Sequence, residues 1–199
     1  MNKLQVVKEK LDTNQYYFQE EDTEEFPLFF SKLRMNNTTY IEKDSVGRDM
    51  HHGLFLDIMC LNNTYKNKSL RYLQYIAARA VNAKALAKKG YLTQSRSKIV
   101  ALRLAKVLIS SAVKKILLRF IRRLNNKDTE YIGHFFGRAP FKRTSFKRSL
   151  IGEGKYVKFE TLSLPVFYSV EEYLRVRYGD KFMEMPSQEV KDLYPSHAY

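Results

Sequence analysis

Between Met50 and Leu61 the chain reads MHHGLFLDIMCL, and one carboxylate, Asp57, stands in the middle of an otherwise apolar run. A short apolar run bounded by a turn signal, here Gly53, has the form of a buried strand. A charged group inside such a strand must be paired, hydrogen-bonded or metal-bound, because a bare buried carboxylate costs as much as a small domain's whole stability. Strand alternation sets Phe55, Asp57 and Met59 on one face and Leu54, Leu56 and Ile58 on the other. The expectation is a central strand whose apolar residues pack a core. Asp57 then looks into a cleft as a site residue, or serves as the structural partner of a helix end or an arginine.

The charge of the chain is regional. Residues 66–148 carry 22 Lys and Arg against only Asp128 and Glu130, while the remainder is net acidic. Such a field attracts anions, whether phosphate-rich glycans, anionic lipid head groups, nucleotides or nucleic acid, and the simpler alternative is a solvated basic face. With 199 residues, 44% of them hydrophobic, the chain can bury one sizeable core and is expected to form a single domain. The one cysteine, Cys60, excludes an intrachain disulfide and is expected to be a small buried thiol in a reducing compartment. Met1 to Lys10 lacks the apolar stretch of a leader, and no run is long and apolar enough to span a bilayer, so a cytoplasmic location is expected.

Lys3 to Leu11 has the spacing of a short amphipathic helix. Gln15–Gln19 and Phe26–Leu33 read as strands on either side of an acidic loop, and Thr38–Glu42 as another. Lys32 and Arg34 flank Leu33, so in an extended segment both cations share one face, where they suit phosphate or simply face water from an edge strand. His51 and His52 point to opposite sides of an extended chain, so at most one joins Asp57, and no Cys or His cluster completes a zinc set. His52, closer to Gly53, is preferred for orienting Asp57 or contacting a phosphate; a structural role is the alternative. Leu70–Lys89 and Ser97–Asn125 read as two helices broken at Gly90. In the second, capped by Ser97, Ile99, Leu102, Val107, Ile109, Val113, Ile116, Leu117, Phe120 and Ile121 form an apolar stripe amid basic residues. That pattern fits a core-facing helix or one adsorbed to an anionic membrane. Asn126–Arg148 reads as loops or short helices. There Arg138, Lys142, Arg143, Lys147 and Arg148 interleave with Phe135, Phe136, Phe141 and Phe146, as in single-stranded nucleic-acid binders and in snorkelling basic surfaces alike. No nucleic-acid module motif accompanies it, which ranks nucleic acid last among the partners. Tyr156–Glu160 reads as a strand, and Leu164-Pro165 as the opening of a helix capped at Ser169 and ended by Gly179.

Several separate blocks, FPLFFSKLRMNNTTYIE (Phe26 to Glu42), HHG with LFLDIMCL, YVKFE, LPVFYSVEEYL (Leu164 to Leu174), YGDKFMEMP (Tyr178 to Pro186) and His197, together resemble the LicD family. These are the fukutin-related phosphotransferases of the nucleotidyltransferase superfamily. The resemblance spans most of the chain and thins between Lys66 and Arg148. It implies an α+β fold, an incomplete nucleotidyltransferase-like core sheet with a basic helical insertion. Core strands including Asp57 would lie in residues 1–66, the insertion in 67–148, and a C-terminal strand and helix in 149–199. It also implies transfer of phosphocholine or a related phospho-substituent from a CDP-activated donor to a cell-surface glycan such as lipopolysaccharide, teichoic acid or capsule. In that scheme Asp57 is the catalytic ligand of Mg²⁺, and Lys32, Arg34 and His52 bind substrate. The family's first two metal carboxylates follow a Gly-Ser turn in a tryptophan-preceded acidic run. This chain has no Trp, and Glu20, Glu21, Asp22, Glu24 and Glu25 have no Gly-Ser element before them. The chain is therefore expected to be the C-terminal part of a longer protein, with a separate N-terminal fragment as a partner and the metal motif incomplete. The alternative is a non-enzymatic binding module for anionic glycan or for the inner face of a membrane.

Overall fold

The computed structural model describes residues 3–42, 45–91, 93, 95–137, 139–188 and 196–198; Arg138 and the side chain of His197 lie outside that description. The chain is mixed helix and sheet, α+β as expected, and its sheets are all small and antiparallel. It divides into two compact units. The first comprises Met1–Met59, Ala83–Lys106 and Pro186–Tyr199, the second Cys60–Asn82 and Val107–Met185, so the basic helical stretch is shared between them. Among the described residues no helix is long and apolar enough to cross a membrane.

The first unit begins with helix α1 (Lys3–Glu9). A three-stranded sheet follows, ordered β1 (Tyr16–Gln19), β2 (Ser31–Met35), β4 (Phe55–Ile58). Strand β3 (Tyr40–Glu42) pairs with β10 (Ser196–Ala198). The strand expected from Phe26 begins only at Ser31. Asp22 N–H donates to the Leu28 carbonyl and Thr23 N–H to the Phe26 carbonyl, so this backbone closes a turn on the acidic loop instead of lengthening the ladder. Phe26, Leu28 and Phe29 become the buried plug of the unit. The apolar run around Asp57 is also corrected. It lies at the sheet edge, because β2 and not β4 has a neighbour on each side, and on the outward face of β4 Leu54 and Leu56 are 44% and 69% exposed.

Helix α2 (Lys68–Lys88) matches its expected span closely. The single helix expected over Ser97–Asn125 is two, α3 (Arg96–Leu108) and α4 (Ser111–Arg122). Ser110 sits between them in extended backbone, and its side chain accepts a hydrogen bond from Val113 N–H at 3.2 Å. That serine, not Ser97, caps a helix, because a hydroxyl competes with the continuing backbone for a free N–H.

In the second unit β5 (Asn62–Thr64), β6 (Tyr131–Gly133) and β7 (Ser145–Lys147) form a sheet in chain order. Residues 126–148, expected as loops or short helices, hold a short 3-10 turn at Phe141–Arg143 and also two strands, each too short for a period of two to show. The core packs Ile132, Phe146 and Leu150 with partly buried Phe167 and Tyr173, and Tyr173 meets both phenylalanine rings edge-on at 4.7–5.0 Å. Side-chain amides meet a C-terminal carbonyl of α4 and one in the turn that follows it. Gln74 Nε2 donates to Ile121 O at 3.1 Å while its Oε1 accepts from Tyr65 N–H, and Asn63 Nδ2 donates to Leu124 O. Leu164 and Pro165, expected to open a helix, belong to the hairpin β8 (Lys155–Phe159) and β9 (Leu162–Val166). Helix α5 (Val170–Tyr178) follows, with no side-chain bond from Ser169 and with Gly179 ending it at φ 95°.

Two outcomes test this architecture. Gln74 is fully buried, and Gln74→Leu strands the Ile121 carbonyl and the Tyr65 N–H at about 1–3 kcal/mol for a buried unpaired group, so the urea midpoint should fall with an unchanged m value. His134 is buried with Nδ1 3.3 Å from the Cys60 carbonyl, and burial lowers its pKa. Below about 6.5, the ordinary histidine value, the unfolded chain takes a proton that the folded one refuses, so stability falls with pH from there down to the lowered folded pKa. His134→Phe should flatten that slope in chemical melts taken between pH 7.5 and 5 (about the range histidine spans).

Candidate functional site

Antiparallel pairing of β2 with β4 sets Lys32 opposite Asp57 and Arg34 opposite Phe55. Alternation puts these four side chains on one face. Glu42, at the end of β3, reaches the same place: its Oε2 accepts from Lys32 Nζ at 2.8 Å and lies 3.5 Å from Arg34 Nη2. Asp57 Oδ1 is 3.6 Å from the same ammonium. The Lys32 Nζ also lies 3.3 Å from the centroid of the Phe55 ring, with the rings of Phe26 and Phe30 near 6 Å. Arg34 is held by Gln19 Oε1 at 2.9 Å and by the Gly53 carbonyl at 3.1 Å. Gln19 in turn donates to Glu25, which accepts from the Tyr17 hydroxyl at 2.7 Å. One continuous polar chain therefore runs from Tyr17 to Asp57.

Exposure grades along it. Lys32 and Arg34 are 2% and 1% exposed, Glu42 29% and Asp57 36%. Burial lowers the pKa of Lys32, offset in part by Glu42 and Asp57. Burial alone would raise Glu42, yet the hydrogen bond and charge of Lys32, with Lys89 and Arg34, hold it below the usual carboxylate range. Asp57 shifts the other way. Burial and the neighbouring Glu42 charge raise it by more than Lys32 and Arg34 lower it. Burial and the bond to Glu25 push the Tyr17 phenol up to about 12.

Of the residues selected from sequence, Asp57, Lys32 and Arg34 meet here, and His52 does not. Its Nε2 lies 3.1 Å from the Arg48 carbonyl. His51 is the histidine tied to the cluster: its Nδ1 accepts from Gly53 N–H at 3.0 Å, its Nε2 faces Asn36 Oδ1, and its ring stacks on Tyr17 at 5.0 Å. Gly53 has no room for a side chain, since a Cβ there would overlap the Met35 carbonyl. Lys32 and Arg34 share a face as expected, but they are buried against internal partners and do not line an open phosphate cradle. Sequence inspection missed Glu42, Gln19 and Glu25. Only Glu42 carried a signal, as an acid closing a short strand, and nothing local ties it to Lys32.

Magnesium does not fit the residues present. The Lys32 ammonium stands between the carboxylates of Glu42 and Asp57, where a cation shared by them would sit, and no three His, Cys, Asp or Glu side chains among the described residues converge to hold a metal. Open clefts of about 500 Å³ lie beside Arg148 and beside Glu171 and Glu172, and neither is lined by a residue of the cluster.

Glu42→Gln leaves two buried cations with one carboxylate between them and should destabilise the fold by about 3 kcal/mol, as when one partner of a buried pair is removed. Lys32→Met/Glu42→Gln together should cost less than the sum of the single changes, and urea melts of the double-mutant cycle measure the coupling.

Comparison with family models, with curated proteins and with solved structures found no match to this chain.

Proposed function

We propose that this chain works as part of a LicD-like phosphotransferase with a nucleotidyltransferase-type core. It would move phosphocholine or a related phospho-substituent from a CDP-activated donor to a hydroxyl of a cell-surface glycan, at the cytoplasmic face of the membrane. The observation that supports this reading is the meeting of Asp57, Lys32 and Arg34 on one sheet face, since these residues come from two of the blocks that carry the family resemblance. In the proposed reaction the acceptor oxygen attacks the phosphorus of the transferred group in line, a new P–O bond forms, and the bond to CMP breaks. The hydroxyl proton needs an acceptor. Asp57 is the more exposed of the two acids beside Lys32, and its raised pKa makes it a better base than a free carboxylate. Lys32 and Arg34 are positioning residues in this scheme: they hold Asp57 and Glu42 and add positive potential beneath the phosphates. Magnesium enters the proposal only with further carboxylates from a separate N-terminal segment.

The test follows transfer of labelled phosphocholine from CDP-choline to a glycan acceptor, by this chain alone and with a Gly-Ser and Asp-rich segment of the LicD type added. Asp57→Asn keeps the shape and removes the charge, and the rate per folded molecule should fall at least ~100-fold, roughly 3 kcal/mol of transition-state stabilisation. Thermal melts supply the folded fraction. Full activity of the asparagine variant would sink the assignment of Asp57.

A further inference from the structure

Helix α3 has two apolar faces. Ile99, Leu102 and Ala105 form the packed one, half-buried to buried. Val100, Leu104, Val107 and Leu108 recur at helical spacing on the opposite side and are 54%, 52%, 79% and 67% exposed. Four aliphatic side chains in one outward stripe exceed the single exposed residues of an ordinary surface. Exposed Arg96 and Arg103 border the stripe, each one turn before a valine of it, Val100 and Val107 respectively. From Arg96 to Arg123 the chain carries nine Lys and Arg and no Asp or Glu.

We infer that the outward face of α3 docks on an anionic lipid bilayer. The helix lies along the surface, Val100, Leu104, Val107 and Leu108 enter the head-group boundary, and Arg96 and Arg103 snorkel to lipid phosphates. Charge complementarity names this occupant. A second copy of the chain would set this acid-free helix against a like-charged surface of the same kind, whereas the anionic leaflet attracts it. The stripe is aliphatic throughout and offers no ring on which a nucleic-acid base would stack. The inference is independent of the proposed transferase activity, because it uses none of the residues around Asp57.

The chain contains no Trp, so Val107→Trp places a single reporter in the stripe. With vesicles containing about one-third phosphatidylglycerol in phosphatidylcholine, its emission should shift to the blue and be quenched by brominated acyl chains. Asn126→Trp, in an exposed turn, should not respond. In vesicle sedimentation Leu104→Asp/Val107→Asp should lower partitioning at least ~10-fold, and Arg96→Gln/Arg103→Gln should lower it and weaken its salt dependence. Unshifted emission from the Val107→Trp variant, equal binding to pure phosphatidylcholine, or unchanged partitioning of both double variants would overturn the inference. So would a concentration-dependent dimer lost on Leu104→Asp/Val107→Asp, which gives the stripe to a second copy, or salt-sensitive RNA binding by a chain that ignores vesicles.

Discussion

A lysine ammonium withdrawn from water organises the first unit. Removing Lys32 from solvent carries a desolvation penalty that one ion pair seldom offsets, and the fold answers with two carboxylates and an aromatic face at once. The partners come from two other elements, Glu42 from β3 and both Asp57 and Phe55 from β4. The strand register follows from this. A slip of one residue between β2 and β4 would send Lys32 and Arg34 to the opposite face and leave four charged groups unmatched. Arg34 extends the same constraint to β1 through Gln19, and to the turn before β4 through the Gly53 carbonyl.

The second unit meets a similar demand with neutral groups. A helix leaves its last carbonyls without partners, and α4 ends against Gln74 and Asn63, whose amides replace water there. Gln74 answers to α4 and to Tyr65 together, which is why a polar side chain can be wholly buried on α2. Below this polar seam the packing is aromatic, with Tyr173 wedged between Phe146 and Phe167.

The graded burial of the first cluster bears on its chemistry. Cations are deepest and acids are outermost, so the cluster presents a carboxylate to solvent over a positive floor. In the proposed scheme the buried cations would add positive potential beneath a phosphate, while the carboxylate at the rim would take the proton. It also accounts for the poor fit to a divalent ion, because the charge such an ion would supply is already present as Lys32.

Residue order alone determined much of the local structure. Apolar spacing set α2, Gly179 ended α5, and strand alternation placed Lys32 with Arg34 and Phe55 with Asp57 on common faces; each depends on neighbours a few residues away. The demand that Asp57 find a partner was legible too, since a carboxylate in an apolar strand cannot stay bare. Tertiary structure decided the rest. Which cation answers Asp57, the entry of Glu42, the choice of His51 over His52 and the edge position of β4 depend on the partner each strand meets across the sheet, and a period along the chain carries no record of that partner. The break at Ser110 has the same origin: the apolar stripe continues through it, and only the buried Ile109 and the re-aimed backbone make a serine cap there more favourable than another helical turn.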